Sequence, residues 1–99
     1  AWVHGTPVSS WQDIDLADMA VTLHANGELV REGQGFNVMG HPINALTWLA
    51  NVRAVYARDG LRAGDRISTG TTIVVYDAAK GDHLVADFGP LGRIELTLT

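Results

Sequence analysis

Positions 1–18 show no sustained alternation of apolar and polar residues; they are rich in Gly, Pro, Ser and Asp, with a hint of order only at Asp13-Ile14-Asp15-Leu16. This stretch, 1–18, is expected to be a lead-in segment. From Met19 the pattern takes period two: Met19, Val21 and Leu23 alternate with Ala20, Thr22 and His24 up to Asn26-Gly27, and Glu28 to Gly33 resumes beyond it. Strand-like pattern on both sides of Asn-Gly predicts a β-hairpin, because that pair accepts the positive φ of a type I′ turn, whose twist matches the strands. A two-residue loop sets Ala25 opposite Glu28 and Leu23 opposite Val30, with Met19, Val21, Leu23 and Val30 facing the core. Gly33-Gln34-Gly35 is expected to break the second strand.

Gly40-His41-Pro42 opens the next element, and Pro42 suits a first helical turn, where its missing N–H costs nothing. A helix is predicted over about 42–59, with Gly60 as its left-handed stop. At 100° per residue, Leu46, Leu49, Ala50, Arg53, Tyr56 and Ala57 share one side, and Asn44, Thr47, Asn51 and Arg58 the other. Arg53 is the anomaly on the apolar side: it must either snorkel outward or meet a carboxylate, because an unpaired buried guanidinium is expensive. Beyond the helix, short strands are expected at Arg66 to Thr69, Thr72 to Tyr76, His83 to Phe88 and Arg93 to Leu98, separated by Gly-rich turns. About six strands joined by short turns, with one long helix, predict an α+β domain rather than a doubly wound parallel sheet.

Composition narrows this picture. With 46% hydrophobic and 18% charged residues, the chain can pack a core and is not disordered. A net charge of −4, with seven scattered basic residues, offers no footprint for a phosphate backbone, so nucleic acid is not an expected partner. The absence of cysteine removes disulfides, thiolate nucleophiles and Cys-based zinc sites, and fits a cytoplasmic protein. Apolar runs such as Ile73-Val74-Val75 are far too short to span a bilayer, so no membrane role is expected. The chain opens at Ala1 rather than Met, as a processed terminus or a cut within a longer protein would.

Few residues are placed to do chemistry. His4, His24, His41 and His83 lack a second ligand at helix or strand spacing, and Asp13-x-Asp15 reads as capping or a solvated turn. Gly33-Gln34-Gly35 has no further Gly at the dinucleotide spacing, where Val38 stands, and Ser9, Ser10 and Ser68 lie outside any nucleophile elbow. The strongest local feature is Ala63-Gly64-Asp65 leading to Thr69-Gly70-Thr71-Thr72. Such a loop can bind a carboxylate, since Gly70 admits close backbone approach while Thr69 and Thr71 offer hydroxyls beside backbone N–H groups. It can equally be a strand-ending turn whose threonines satisfy the backbone.

Three ordered stretches, Gly40-His41-Pro42-Ile43-Asn44-Ala45-Leu46-Thr47-Trp48-Leu49-Ala50-Asn51, then Leu61-Arg62-Ala63-Gly64-Asp65 through Thr69-Gly70-Thr71, then Gly81-Asp82 to Phe88-Gly89-Pro90-Leu91-Gly92, resemble a known group. It is the C-terminal region of the 2-keto-4-pentenoate hydratases and 4-oxalocrotonate decarboxylases, in the fumarylacetoacetate hydrolase superfamily. The hairpin ending in Gly35 also resembles that group, so the likeness runs from about Asp15 onward. The resemblance implies a mixed β-roll with few helices, a Mg²⁺ or Mn²⁺ ion held by an acidic cluster, and a 2-oxo acid substrate bound by that ion as a Lewis acid. It also implies substrate binding at Thr69, Gly70 and Thr71.

The sequence departs from the family pattern where the metal should be. Glu28, Glu32 and Glu95 are the only glutamates, none forms Glu-x-Glu, and the sole lysine, Lys80, follows the Thr-Gly-Thr loop. No catalytic residue and no metal ligand are therefore assigned to this stretch. Thr71 in place of the serine typical of the hydratases leans toward the hydrolase branch, while the helix motif favours hydratase. The expectation is the C-terminal part of a metal-dependent hydratase of 2-hydroxy-dienoate or 2-oxo-enoate substrates in meta-cleavage aromatic degradation, inactive alone. The alternatives are a decarboxylase of a related 2-oxo-dioate and a non-catalytic remnant serving assembly or binding. A homo-oligomer or a complementary N-terminal segment is the expected partner, with Trp2 and Trp11 among the surface to be covered.

Overall fold

A computed structural model describes residues 2–56 and 60–99, except for the side chains of 53–56. The α+β class is borne out. Strands β1 (Ala20–Ala25), β2 (Glu28–Gln34), β3 (His83–Asp87) and β4 (Arg93–Thr97) form one antiparallel sheet in the order β2-β1-β3-β4. One helix, α1 (Pro42–Tyr56), is joined by 3₁₀ turns at Trp11–Asp13, Gly35–Asn37 and Gly89–Leu91. None of the helices among the described residues is long and apolar enough to cross a membrane.

The β1–β2 hairpin turns at Asn26 (φ 53°) and Gly27 (φ 84°), with Ala25 facing Glu28 as the two-residue loop predicts. Leu23, however, faces Arg31 and not Val30, because β2 carries one extra residue there and the register shifts between Leu23 and His24. Such a bulge leaves a residue outside the ladder. Here the Val30 carbonyl accepts from Arg31 Nη1 at 2.6 Å.

Gly33 does not break β2, which runs through to Gln34. Its lack of a side chain serves close approach: a Cβ on Gly33 would lie 2.0 Å from the Thr72 carbonyl oxygen, and one on Gly35 1.6 Å from that of Leu16. At Gly33 the glycine serves proximity of backbones inside the strand, while Gly35 combines such proximity with the start of the 3₁₀ turn that ends β2.

Two expected strands are not strands. Residues 66–69 and 72–76 join no ladder among the described residues. Instead, side chains tether 72–76: Asn37 Nδ2 donates to the Thr72 carbonyl at 2.8 Å, Arg31 Nη2 to that of Val75 at 3.4 Å, and the Arg31 guanidinium sits 5.4 Å from the Tyr76 ring centre. Val74 and Val75 are left 74% and 75% exposed. Their β-propensity is real, but propensity without a neighbouring strand makes no ladder.

The helix begins at Pro42, as predicted. Ahead of it the chain reverses through Met39 (φ 51°) and Gly40 (φ 81°), His41 Nδ1 accepts the Ile43 N–H at 3.0 Å, and Asn44 Nδ2 donates to the Met39 carbonyl at 2.8 Å. Leu46, Leu49 and Ala50 are half-buried while Asn44, Thr47 and Asn51 are exposed, matching the expected faces. The anomaly at Arg53, the side chains of Tyr56, Ala57 and Arg58, and the extension of the helix to Asp59 lie outside the described residues.

The buried apolar residues among those described are Val21, Ala25 and Val38. The sheet is closed at one end by a clasp between its turns. Asn26 Nδ2 donates to Asp82 Oδ1 at 3.0 Å, the His83 N–H donates to Asn26 Oδ1 at 2.9 Å, and Ala79 N–H donates to Asp82 Oδ2 at 2.9 Å. This clasp locks β3 beside β1.

Candidate functional site

A cleft of about 830 Å³ opens between the N-terminal residues 2–7, residues 66–68, and the β3–β4 connection at Phe88 and 91–94. That volume lies within the range of small-molecule sites, roughly 300–1,000 Å³. The N-terminal wall is held by close approach to β4: a Cβ on Gly5 would sit 3.2 Å from Ile94 Cγ1. Trp2 and His4 pack edge to face with ring centres 5.8 Å apart. Sequence reasoning treated residues 2–7 only as lead-in, since an aperiodic segment gives no sign of which surface it covers.

The floor is apolar, with Trp2, Ile67, Phe88, Leu91 and Ile94. Its polar groups are Thr6, Ser68, His4, Arg66 and Arg93, and no carboxylate among the described residues lines it. Arg93 is engaged by the Glu95 carboxylate at 2.5 Å. Arg66, Thr6 and Ser68 make no side-chain hydrogen bond or ion pair among the described residues. Among the described lining residues the formal charges are Arg66 and Arg93, and the Glu95 carboxylate offsets that of Arg93, so the described lining carries one uncompensated positive charge, at Arg66.

Thr69-Gly70-Thr71 directly follows the Arg66 to Ser68 wall but does not itself line the cleft. Thr69 is half-buried. Gly70, at φ 131°, sits so close to Val38 that a Cβ would lie 3.3 Å from Val38 Cγ1. The Thr71 hydroxyl donates to the Ile73 carbonyl at 2.7 Å. The Thr71 proton is thus spent within the loop.

The other candidates resolve individually. Asp15 Oδ1 accepts the N–H groups of Ala17 and Asp18 at 3.2 and 3.1 Å, the capping role expected of Asp-x-Asp. His83 faces Thr97 across the sheet, with Nδ1 3.0 Å from its hydroxyl and Nε2 3.5 Å from Glu95 Oε2. Linear spacing could not reveal that carboxylate neighbour, because it comes from the adjacent strand. Among the described residues no group of three or more His, Cys, Asp or Glu could hold a metal ion.

Residues 2–99 match the model of the fumarylacetoacetate (FAA) hydrolase C-terminal family. The chain belongs to that family. Among FAA hydrolase relatives it is 31% identical to a 4-oxalocrotonate decarboxylase of Pseudomonas putida over 94% of its length and 35% of the relative. It is 36% identical to a 2-keto-4-pentenoate hydratase of Burkholderia vietnamiensis, over 89% of this chain and 33% of that one. A solved 4-oxalocrotonate decarboxylase from Pseudomonas putida G7, complexed with magnesium and adipate, superposes with a TM-score of 0.83 at 31% identity, covering 91% of this chain and 34% of that one. The same enzyme complexed with calcium and acetate gives 0.81. The four-stranded antiparallel sheet with its helix thus has the FAA hydrolase C-terminal fold. The chain spans about a third of the length of these relatives.

Proposed function

We propose that this chain forms the acid-binding wall of a metal-dependent hydratase acting on 2-hydroxy-dienoate or 2-oxo-enoate substrates in the meta-cleavage degradation of aromatic compounds. The observation that carries the reading is the cation-bearing cleft beside Thr69-Gly70-Thr71, with no carboxylate among its described lining residues, in a fold shared with hydratases and decarboxylases of such acids. The apolar floor takes the carbon skeleton, the hydroxyls of Ser68 and Thr6 orient the acid end, and Thr69 and the Gly70 backbone border it. A divalent ion, Mg²⁺ or Mn²⁺, does not fit the described residues, which bring no three ligands together and put no carboxylate in the cleft. Its ligands and the proton-transfer groups are assigned to sequence outside this stretch, so no chemical step is assigned within it.

Assembly is part of the same proposal. A second copy or a complementary N-terminal segment covers the exposed Trp11, Val74 and Val75, and a cytoplasmic setting suits such an enzyme. The relatives named are enzymes, which favours a catalytic assembly over a non-catalytic remnant.

The test supplies this chain with the upstream two-thirds of a hydratase relative and Mg²⁺ or Mn²⁺, and follows the dienoate absorbance of a 2-hydroxydienoate. Loss of absorbance that requires both parts is expected; a flat trace from a folded complex rules hydration out. Decarboxylation is the second reading, favoured by the two solved neighbours. Carbon dioxide release from a 2-oxo-dioate, without hydration of the dienoate, would select it.

A further inference from the structure

Strands β2 and β4 form the edges of the sheet, and only one of them is guarded. At the β2 edge the register shifts between Leu23 and His24, the Val30 carbonyl is taken by the Arg31 guanidinium, and residues 72–76 are tethered alongside through Arg31 and Asn37. Strand β4 has none of these devices: it pairs with β3 without a bulge and contains neither proline nor lysine. The direction of its backbone groups is fixed by the bonds just beyond each end of the pair. The Phe88 N–H donates to the Gly92 carbonyl and the Leu98 N–H to the Asp82 carbonyl, each at 2.9 Å. Bonded and non-bonded positions alternate along an antiparallel ladder, so Ile94 and Leu96 bond β3 while the N–H and C=O groups of Arg93, Glu95 and Thr97 point away from it. Among the described residues those outward backbone groups take no hydrogen bond. An open edge can simply be solvated, and charged side chains commonly keep it so. Here the two charges are opposite in sign and two residues apart, which makes the strand complementary to a second copy of itself.

We propose that the β4 edge pairs with β4 of a second copy, antiparallel about a two-fold axis through Ile94, so that the two sheets become one. That register sets Arg93 opposite Glu95 of the second copy on both sides of the axis, at hydrogen-bonded positions, and Ile94 opposite Ile94. An axis through Glu95 would instead oppose two carboxylates, and one through Leu96 would set Glu95 opposite Thr97 and leave Arg93 without an acidic partner. The Arg93–Glu95 pair of each strand thereby becomes half of a shared charge network across the axis. Edge pairing stands on the geometry of the sheet and needs nothing from the acid-binding reading of the cleft.

Sedimentation of the purified chain and of its charge reversals tests this. The wild-type protein is expected to dimerise at high micromolar concentration. Arg93→Glu and Glu95→Arg each bring like charges together on both sides of the axis, and each should weaken association about tenfold or more. An equimolar mixture of the two variants should return to within about threefold of wild type, because every pair across the axis is again opposite in sign. The chain has no cysteine, so a single introduced thiol reports the register. Ile94→Cys should crosslink under mild oxidation, with its α-carbons about 4.5 Å apart, whereas Leu96→Cys should not, with about 13 Å between them. A monomer at that concentration, association unmoved by either reversal, a mixture no stronger than the single variants, or crosslinking at Leu96→Cys and not at Ile94→Cys overturns the proposal. Association through exposed apolar side chains elsewhere would give the second of these results.

Discussion

Gly35 shows how a single side chain's absence can position an entire segment. Its α-carbon passes so close to the Leu16 carbonyl that any Cβ would overlap it, while the neighbouring N–H groups of Gly35 and Phe36 bond the carbonyls of Met19 and Ala17 at 3.0 and 2.7 Å. The end of the lead-in is thereby pinned to the end of β2, and the obstruction is backbone, which cannot rotate away. Gly35→Ala should cost about 2–3 kcal/mol, the upper range for overpacking without relief. Urea unfolding followed by circular dichroism measures it, and a cost below about 0.5 kcal/mol would mean the two backbones are not held together. The glycine itself was legible in the sequence. Its reason was not, since a close approach joins residues far apart in the chain and leaves no local periodicity. The same limit applies to Thr71: that its hydroxyl turns to Ile73 and not outward is a choice of rotamer, which the residue type alone leaves open.

At the scale of elements, the clasp at Asn26, Asp82 and His83 joins the first hairpin to the second. Asp82 is held below the ordinary aspartate value of 3.8, first by the Ala79 N–H and then by the Asn26 amide, both of which bond the ionised form. A carboxylate with a lowered folded-state pKa stabilises the fold above its unfolded value, and that contribution disappears as pH falls through the folded value. Asp82→Asn should therefore weaken the protein at about pH 6, and the gap should close as pH falls from about 4 toward 2. Melts of both proteins across that range read it directly, and a gap that stays constant with pH would remove the carboxylate from the explanation. Elements with strong local signals were legible: the Asn26-Gly27 hairpin, Pro42 at the helix start, and the β3–β4 pair around Gly89 to Gly92. The bulge at Val30 and the failure of 66–69 and 72–76 to pair were not, because register and pairing depend on which strand lies alongside. Neither was the cleft, which is assembled from three separated segments, one of them aperiodic.

For the whole molecule, the shape is open. The extents are 44 × 29 × 24 Å and the radius of gyration 15.1 Å, against about 13 Å for a compact domain of this length. The accessible surface of 7138 Å² exceeds the roughly 5,500 Å² of a folded monomer of this mass. Trp48 is 58% exposed and Met39 60% exposed, so the excess includes large apolar groups. Surface of that kind is a binding surface or a liability. The chain alone is expected to sediment as a species larger than 10.6 kDa at high micromolar concentration and to bind an exposed-hydrophobe dye. A compact monomer that leaves the dye dark would show that the apolar surface needs no cover.

The tethered segment Thr71-Thr72-Ile73-Val74-Val75-Tyr76 has a further consequence for handling the protein. It is six residues without charge or proline, dominated by β-branched and aromatic side chains, with no backbone ladder of its own among the described residues. That composition favours stacking of identical chains into cross-β fibrils. Asp77, immediately after it, stands where a gatekeeper charge would limit such growth.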